Sequence, residues 1–247
     1  MKKTTRKWKR RKEDLRQLLH APDFSQALSV VLREPPRQVI NPLISLFLTG
    51  EEIIRWRAIT SAGRVVANLA DQDMEGARVI MRRFMWMLND ESGGIGWGVP
   101  EAMGEVVAVH DRLGEEFADL LVSYVCPERN YLEHEALQQG ALWAIGRVAE
   151  VKPYLVEDGG ACVIPHLAFR DAAVRGLSAR AAGLMGVEAA RENLKECLDD
   201  DREISLFVNN ALVASTVSGL ARAALSKLPD GQTYRSSIVY GKPDGFA

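Results

Sequence analysis

Residues 57–66 read RAITSAGRVV, residues 98–107 GVPEAMGEVV, residues 141–150 ALWAIGRVAE and residues 176–186 GLSARAAGLMG. Set on their shared glycine, the four stretches superimpose at Gly63, Gly104, Gly146 and Gly183, and Leu212–Arg222 adds Gly219. The intervals are 41, 42, 37 and 36 residues. Five positions before each glycine stand Ala58, Val99, Ala141, Ser178 and Ala214, and one position before stand Ala62, Met103, Ile145, Ala182 and Ser218. Each stretch reads as the middle of a helix (56–66, 97–107, 139–149, 176–186, 212–222). A helix-interior glycine costs about 1 kcal/mol relative to alanine. Its return at one interval therefore points to close helix–helix packing.

A shorter helix is predicted ahead of each, at about 36–48, 74–89, 115–126, 159–168 and 188–198. In the second of these, Ala77, Ile80, Met81, Phe84, Met85 and Leu88 fall at three- and four-residue spacing, the period of a buried helical stripe. Pro100 sets the start of its helix near Val99 and leaves Trp97 in the preceding loop. Alternating apolar–polar runs are scarce, and only Ser237–Tyr240 reads as a short strand. An isolated helix pair cannot bury its apolar face, so repeated pairs stack. The expected fold is all-α: an α-solenoid of about five helix pairs with N-terminal capping helices. Residues 1–34 form the basic arm and caps, 35–228 the repeats, and 229–247 an irregular tail.

The four quoted stretches resemble the second helix of HEAT-like repeats, in particular the short HEAT repeats of the bilin lyases of phycobilisomes. The block ESGGIGWGVPEAMGE (91–105) is similar to an uncharacterised HEAT-like family of sulfate-reducing bacteria. The resemblance spans roughly residues 35–225 and implies a solenoid that binds something on its concave face. It implies no particular chemistry.

Composition agrees with a globular chain: 47% of the 247 residues are hydrophobic and 26% charged, which excludes wholesale disorder. The formal charge of −2 conceals an asymmetry. Residues 1–12 hold eight Lys or Arg and no acid, leaving 23 basic and 33 acidic residues, a net of −10, on the rest. The arm reads as a nucleic-acid or acidic-partner arm, as a membrane-surface helix, or as an end cap built on Trp8, Leu15, Leu18 and Leu19; the cap is favoured. No stretch approaches the length of a membrane span. The three scattered cysteines (Cys126, Cys162, Cys197) read as small buried side chains in a reducing compartment, so a cytoplasmic location is expected.

Positions seven before, three before and one after each glycine form a row along the second helices. It runs through Trp56, Thr60 and Arg64; Trp97, Glu101 and Glu105; Gln139, Trp143 and Arg147; then Gly176, Arg180 and Leu184. Three of the five tryptophans fall in it. Trp and Arg are enriched at binding hot spots, so Trp56, Arg64, Trp97, Glu101, Glu105, Trp143, Arg147 and Arg180 are the expected binding residues of a concave groove. Packing at the seam between repeats is the competing account. Gly93, Gly94 and Gly96, ahead of a helix, are candidates for holding an anion on backbone N–H groups. The loop lacks the Lys-Ser/Thr of a phosphate-binding P-loop.

Nothing assembles a catalytic or metal site. Cys162 and His166 are four apart but lack further ligands at matching spacing, and no nucleophile–base motif is present. No cofactor is expected. The leading reading is a non-catalytic protein-binding scaffold with a protein partner in the groove. Two alternatives are a HEAT-like DNA glycosylase-type enzyme and a bilin-lyase-like chromophore handler. The acidic body disfavours nucleic acid.

Overall fold

The computed structural model describes residues 2–89 and 96–229, with side chains from residue 10 onward. Among these residues the chain forms twelve α-helices and one two-stranded hairpin. The repeat begins with α3 (Pro36–Leu46) and α4 (Glu52–Ala70), followed by α5 (Met74–Met87) and α6 (Val99–Val109). Then come α7 (Asp111–Ser123) and α8 (Glu135–Val151), and α9 (Gly160–Val163) and α10 (Ala172–Met185). The last pair is α11 (Arg191–Glu196) and α12 (Val217–Leu225), with strands β1 (Glu203–Val208) and β2 (Ala211–Thr216) between them. Ahead of the repeats lie α1 (Lys2–Leu19) and α2 (Phe24–Arg33). The second helices α4, α6, α8, α10 and α12 pack each on the next, and this stack makes the fold an all-α solenoid.

The glycine row is where those helices touch. A Cβ on Gly63 would lie 2.7 Å from Cβ of Glu105 on the next second helix. One on Gly104 would collide with the Ala144 backbone, and one on Gly183 with the backbone of Ala224. One on Gly146 would lie 2.5 Å from Nη1 of Arg180. Four second helices thus approach closely because the residue at the crossing has no side chain.

The fifth unit departs from the expectation. Gly219 fits the count but not the geometry: its nearest neighbour would be Thr216 Oγ1, at 3.1 Å, and no other helix comes close. Thr216 is the N-cap of α12 and accepts the Gly219 N–H at 3.0 Å. Residues 212–216, expected to be helical, are instead β2. The strand is set by EISLFV and ALVAST flanking Asn209-Asn210. Both asparagines take positive φ (50° and 63°), the requirement of a tight two-residue hairpin turn. Phe207 pairs with Leu212 and Val208 with Ala211.

The cysteine expectation is corrected as well. Cys126 and Cys162 form a disulfide, and only Cys197 is free, buried in the core. The two half-cystines are 36 residues apart, one repeat interval, so stacking brings the end of α7 against α9. The cysteines accordingly no longer point to a reducing compartment. No helix among the described residues is long and apolar enough to cross a membrane.

From residue 10 onward α1 is docked on the first repeat. Leu15 and Leu19 are buried, Arg11 pairs with Glu34, and Arg16 Nε donates to Glu51 at 3.0 Å. Arg57 of α4 closes the join by donating to the carbonyls of Leu19 and Ala21 at 2.7 and 2.8 Å. Gly93, Gly94, Ser237–Tyr240 and the tail from residue 230 lie outside the described residues.

Candidate functional site

The position after the first three aligned glycines builds a charge ladder across three repeats. The Glu105 side chain, 3% exposed, lies between two guanidinium groups. Arg64 Nε donates to its Oε1 at 2.6 Å, and Arg147 Nε to its Oε2 at 2.9 Å. These partners are 41 and 42 residues apart, which is why successive second helices set them side by side. A buried carboxylate with both oxygens paired is stable; removing a partner leaves an uncompensated charge.

Arg180 of α10 stands next in line with a poorer arrangement. Its side chain is 11% exposed, and its paired carboxylate is Glu150, with Oε2 3.5 Å from Nη2. Nη1 is buried over Gly146 with no hydrogen-bond partner. Burial, reinforced by the like charge of Arg147, lowers the Arg180 pKa, while Glu150 acts in the opposite direction.

The hairpin lies against this face. Phe207 stacks on Trp56, with centroids 5.0 Å apart and planes 4° apart, and its carbonyl accepts the Trp143 Nε1 proton at 2.8 Å. Trp56 and Trp143 also meet, at 4.8 Å. Ile204 of β1 occupies the space left by Gly176, where a Cβ would sit 2.6 Å from Ile204 Cδ1. The two tryptophans are therefore covered, at 8% and 4% exposure, while Trp97 is 39% exposed. Seen from the row, Gly176 is the seat of the hairpin rather than a binding residue.

Several cavities remain beside the hairpin, and two of them take in most of the row. One, of about 290 Å³, is lined by Arg64, Glu105, Arg147, Glu150, Arg180 and the hairpin tip Asn209-Asn210, among others. Every lining residue comes from a second helix or from the hairpin. The other, of about 120 Å³, is lined by Trp56, Trp97, Trp143, Glu101, Arg55 and Ser205, among others. Glu101 Oε2 is buried there without a hydrogen-bond partner. Burial raises this carboxyl to about 7, opposed by a backbone hydrogen bond and the charge of Arg55. The structure thus divides the expected binding residues into two groups that share Trp143.

Other candidates have structural work. His110 and His134 are N-caps, accepting N–H groups of α7 and α8 through Nδ1 at 3.2 and 3.3 Å. His166 is buried, its ring nitrogens 3.1 Å from the Cys162 carbonyl and 2.8 Å from Gln138 Oε1. Burial lowers its pKa. Cys162 and His166 are thus engaged with partners other than a ligand set, and no group of three or more metal-ligating side chains occurs among the described residues. Of the glycine loop, Gly96 is described. Its carbonyl accepts the Val99 N–H at 3.0 Å, at the start of α6. The residues that the sequence reading missed are those of the hairpin, Phe207 above all.

No protein-family model matches the chain. An uncharacterized protein of Archaeoglobus fulgidus is 29% identical over 111 residues, which is 45% of this chain and 54% of that protein. The chain spans about half the length of that relative. Among solved structures, a computationally designed armadillo repeat protein for modular peptide recognition aligns with 87% of this chain and 99% of its own, at 17% identity and TM-score 0.45. The archaeal HEAT-like repeats protein from Thermococcus onnurineus aligns with 88% and 81%, at 16% identity and TM-score 0.38. These neighbours are themselves described as armadillo and HEAT-like repeat proteins.

Proposed function

We propose that the chain is a non-catalytic protein-binding scaffold that receives an extended segment of a partner along the faces of α4, α6, α8 and α10. The observation that carries this reading is the chain's own β1. An extended segment lies on that face, held by a ring stack on Trp56 and by a main-chain hydrogen bond from Trp143. Extended peptides added to a sheet edge are recognised by main-chain hydrogen bonds and side-chain pockets, and a solenoid offers an extended surface able to supply both. Trp97, half-exposed at the edge of the smaller cavity, supplies an aromatic contact that the hairpin leaves open.

The test is an array of short linear peptides probed with the folded protein and with the variants Trp97→Ala and Trp143→Phe. The second keeps an aromatic ring but removes the Nε1 donor that holds the Phe207 carbonyl. A set of peptides retained by the wild type and lost by Trp97→Ala supports the reading. Peptides retained equally by both variants, or no retained peptide, overturn it. The glycosylase-type alternative is less well supported, because Arg64 and Arg147 are already engaged by Glu105 and do not form an open track for phosphates. The bilin-lyase-like alternative rests on repeat type alone.

A further inference from the structure

We propose that the cavity between Arg64, Arg147 and Arg180 is a binding site for a small oxyanion, a carboxylate or phosphate group, with Arg180 as its principal donor. The inference rests on the reading of this face as a recognition surface, and names the chemistry that the surface selects. Its starting point is an imbalance. Three guanidinium groups and two carboxylates line one cavity, leaving it one positive charge in excess. Both oxygens of Glu105 already accept from Arg64 and Arg147, and both of those bonds are made through Nε. Arg180 is the cation left over. It has one carboxylate neighbour at 3.5 Å, shared with Arg147, and a buried Nη1 without an acceptor.

A buried guanidinium with unmatched donors is costly, and the cost is relieved by an acceptor. Arginine forks match planar oxyanions in particular, through paired charge-assisted bonds. The size agrees. About 290 Å³ lies at the small end of ligand sites, which run from about 300 to 1,000 Å³. It suits one anionic group with a short attachment, not an extended cofactor. Thr60 and the exposed Asn209-Asn210 turn add neutral polar groups around the cavity. The carboxylates that oppose an anion are accounted for: Glu105 is neutralised from both sides, and Glu150 is 40% exposed.

The two sources of such a group, a free small anion and an acidic or phosphorylated side chain of a partner, share this chemistry. They separate experimentally. The full chain, with its disulfide intact, is titrated by calorimetry and thermal unfolding with inorganic phosphate, with succinate, and with short peptides carrying one phosphoserine or one glutamate. Sodium chloride at matched ionic strength is the control. Saturable binding of at least one probe, weakened about tenfold or more in Arg180→Gln and unchanged in Arg78→Gln, supports the site. Arg78 is a remote arginine paired with Glu116. Binding of phosphate or succinate alone identifies a free anion; tighter binding of the charged peptides identifies a partner side chain. No saturable binding beyond the chloride control, or binding unaffected by Arg180→Gln, overturns the proposal. Arg180→Lys, which keeps the charge but loses the fork, reports that geometry matters if it also weakens binding. Since phosphate and succinate need no peptide groove, failure of the scaffold reading and failure of the anion site give different results.

Discussion

Replacing Glu101 with glutamine tests the interior of the smaller cavity. The carboxyl of Glu101 has an ordinary value of 4.5 and is raised to about 7, principally by burial. The folded protein therefore holds this proton more tightly than the unfolded chain. Below pH 4.5 both states are protonated and the group has no effect on stability. Between pH 4.5 and about 7 the unfolded chain releases the proton while the folded protein retains it, so stability falls as pH rises. Above about 7 both states are ionised and the penalty is constant. At 1.36 kcal/mol per pKa unit the full penalty is roughly 3 kcal/mol. Glutamine is close to isosteric and does not titrate. The difference in unfolding free energy, Glu101→Gln minus wild type, is expected to climb by roughly 3 kcal/mol between pH 4.5 and 7.5. Urea unfolding at half-unit pH steps measures it, and the difference cancels every other titrating group. A difference that is flat across this window, or that falls with pH, refutes the reasoning that Glu101 is a buried acid without an adequate partner.

Three further perturbations address the scaffold. Gly104→Ala forces a methyl into the Ala144 backbone and is expected to destabilise by about 1–3 kcal/mol, whereas Gly219→Ala, with no helix pressed against it, is expected to be neutral or slightly stabilising; equal losses in urea melts would contradict the packing account. Loss of the disulfide in Cys126→Ser/Cys162→Ser frees a 36-residue loop and is expected to cost about 4 kcal/mol by the chain-entropy relation, with reductant then having no further effect on the melting temperature. Phe207→Ala removes the ring stacked on Trp56 and is expected to shift tryptophan emission to the red and increase acrylamide quenching as Trp56 and Trp143 become wet; unchanged emission would show that the hairpin is not what covers them.

The glycine row made most of the architecture legible, because a residue that weakens a helix and yet recurs has to be explained by packing. The same register held the ladder in view: Arg64, Glu105 and Arg147 all stand one place after an aligned glycine. The interval sets the three side by side on successive second helices, and their opposite charges pair them. The disulfide was encoded the same way, since 126 and 162 differ by one repeat length, but cysteines scanned for local motifs do not reveal it. The hairpin had a signal too, in the alternation of EISLFV and the Asn-Asn turn. It was outweighed by a glycine spaced like the others, and there the counting rule competed with turn chemistry and lost. The burial of Glu101 had no signal in the sequence. It depends on the turn carrying Trp97, on Gly140 of α8 and on Ser205 of the hairpin, the last two brought in from outside its own repeat.

The hairpin also changes what the row means. A bare stack of second helices would expose Trp56, Trp143 and Arg180 together. Ile204 and Phe207 of β1 fill the apolar half of that surface, at Gly176 and the paired tryptophans, and stop short of the arginines. The chain satisfies its own hydrophobic demand and leaves a charged one unmet, at the unpartnered Nη1 of Arg180. Packing at the seam and ligand recognition, rival accounts of one row in the sequence, therefore divide the row between them: Trp56, Trp143 and Gly176 go to packing. Arg64 and Arg147 hold Glu105 in place, and that clamp frames a cavity lined by Arg180, whose Nη1 still lacks an acceptor.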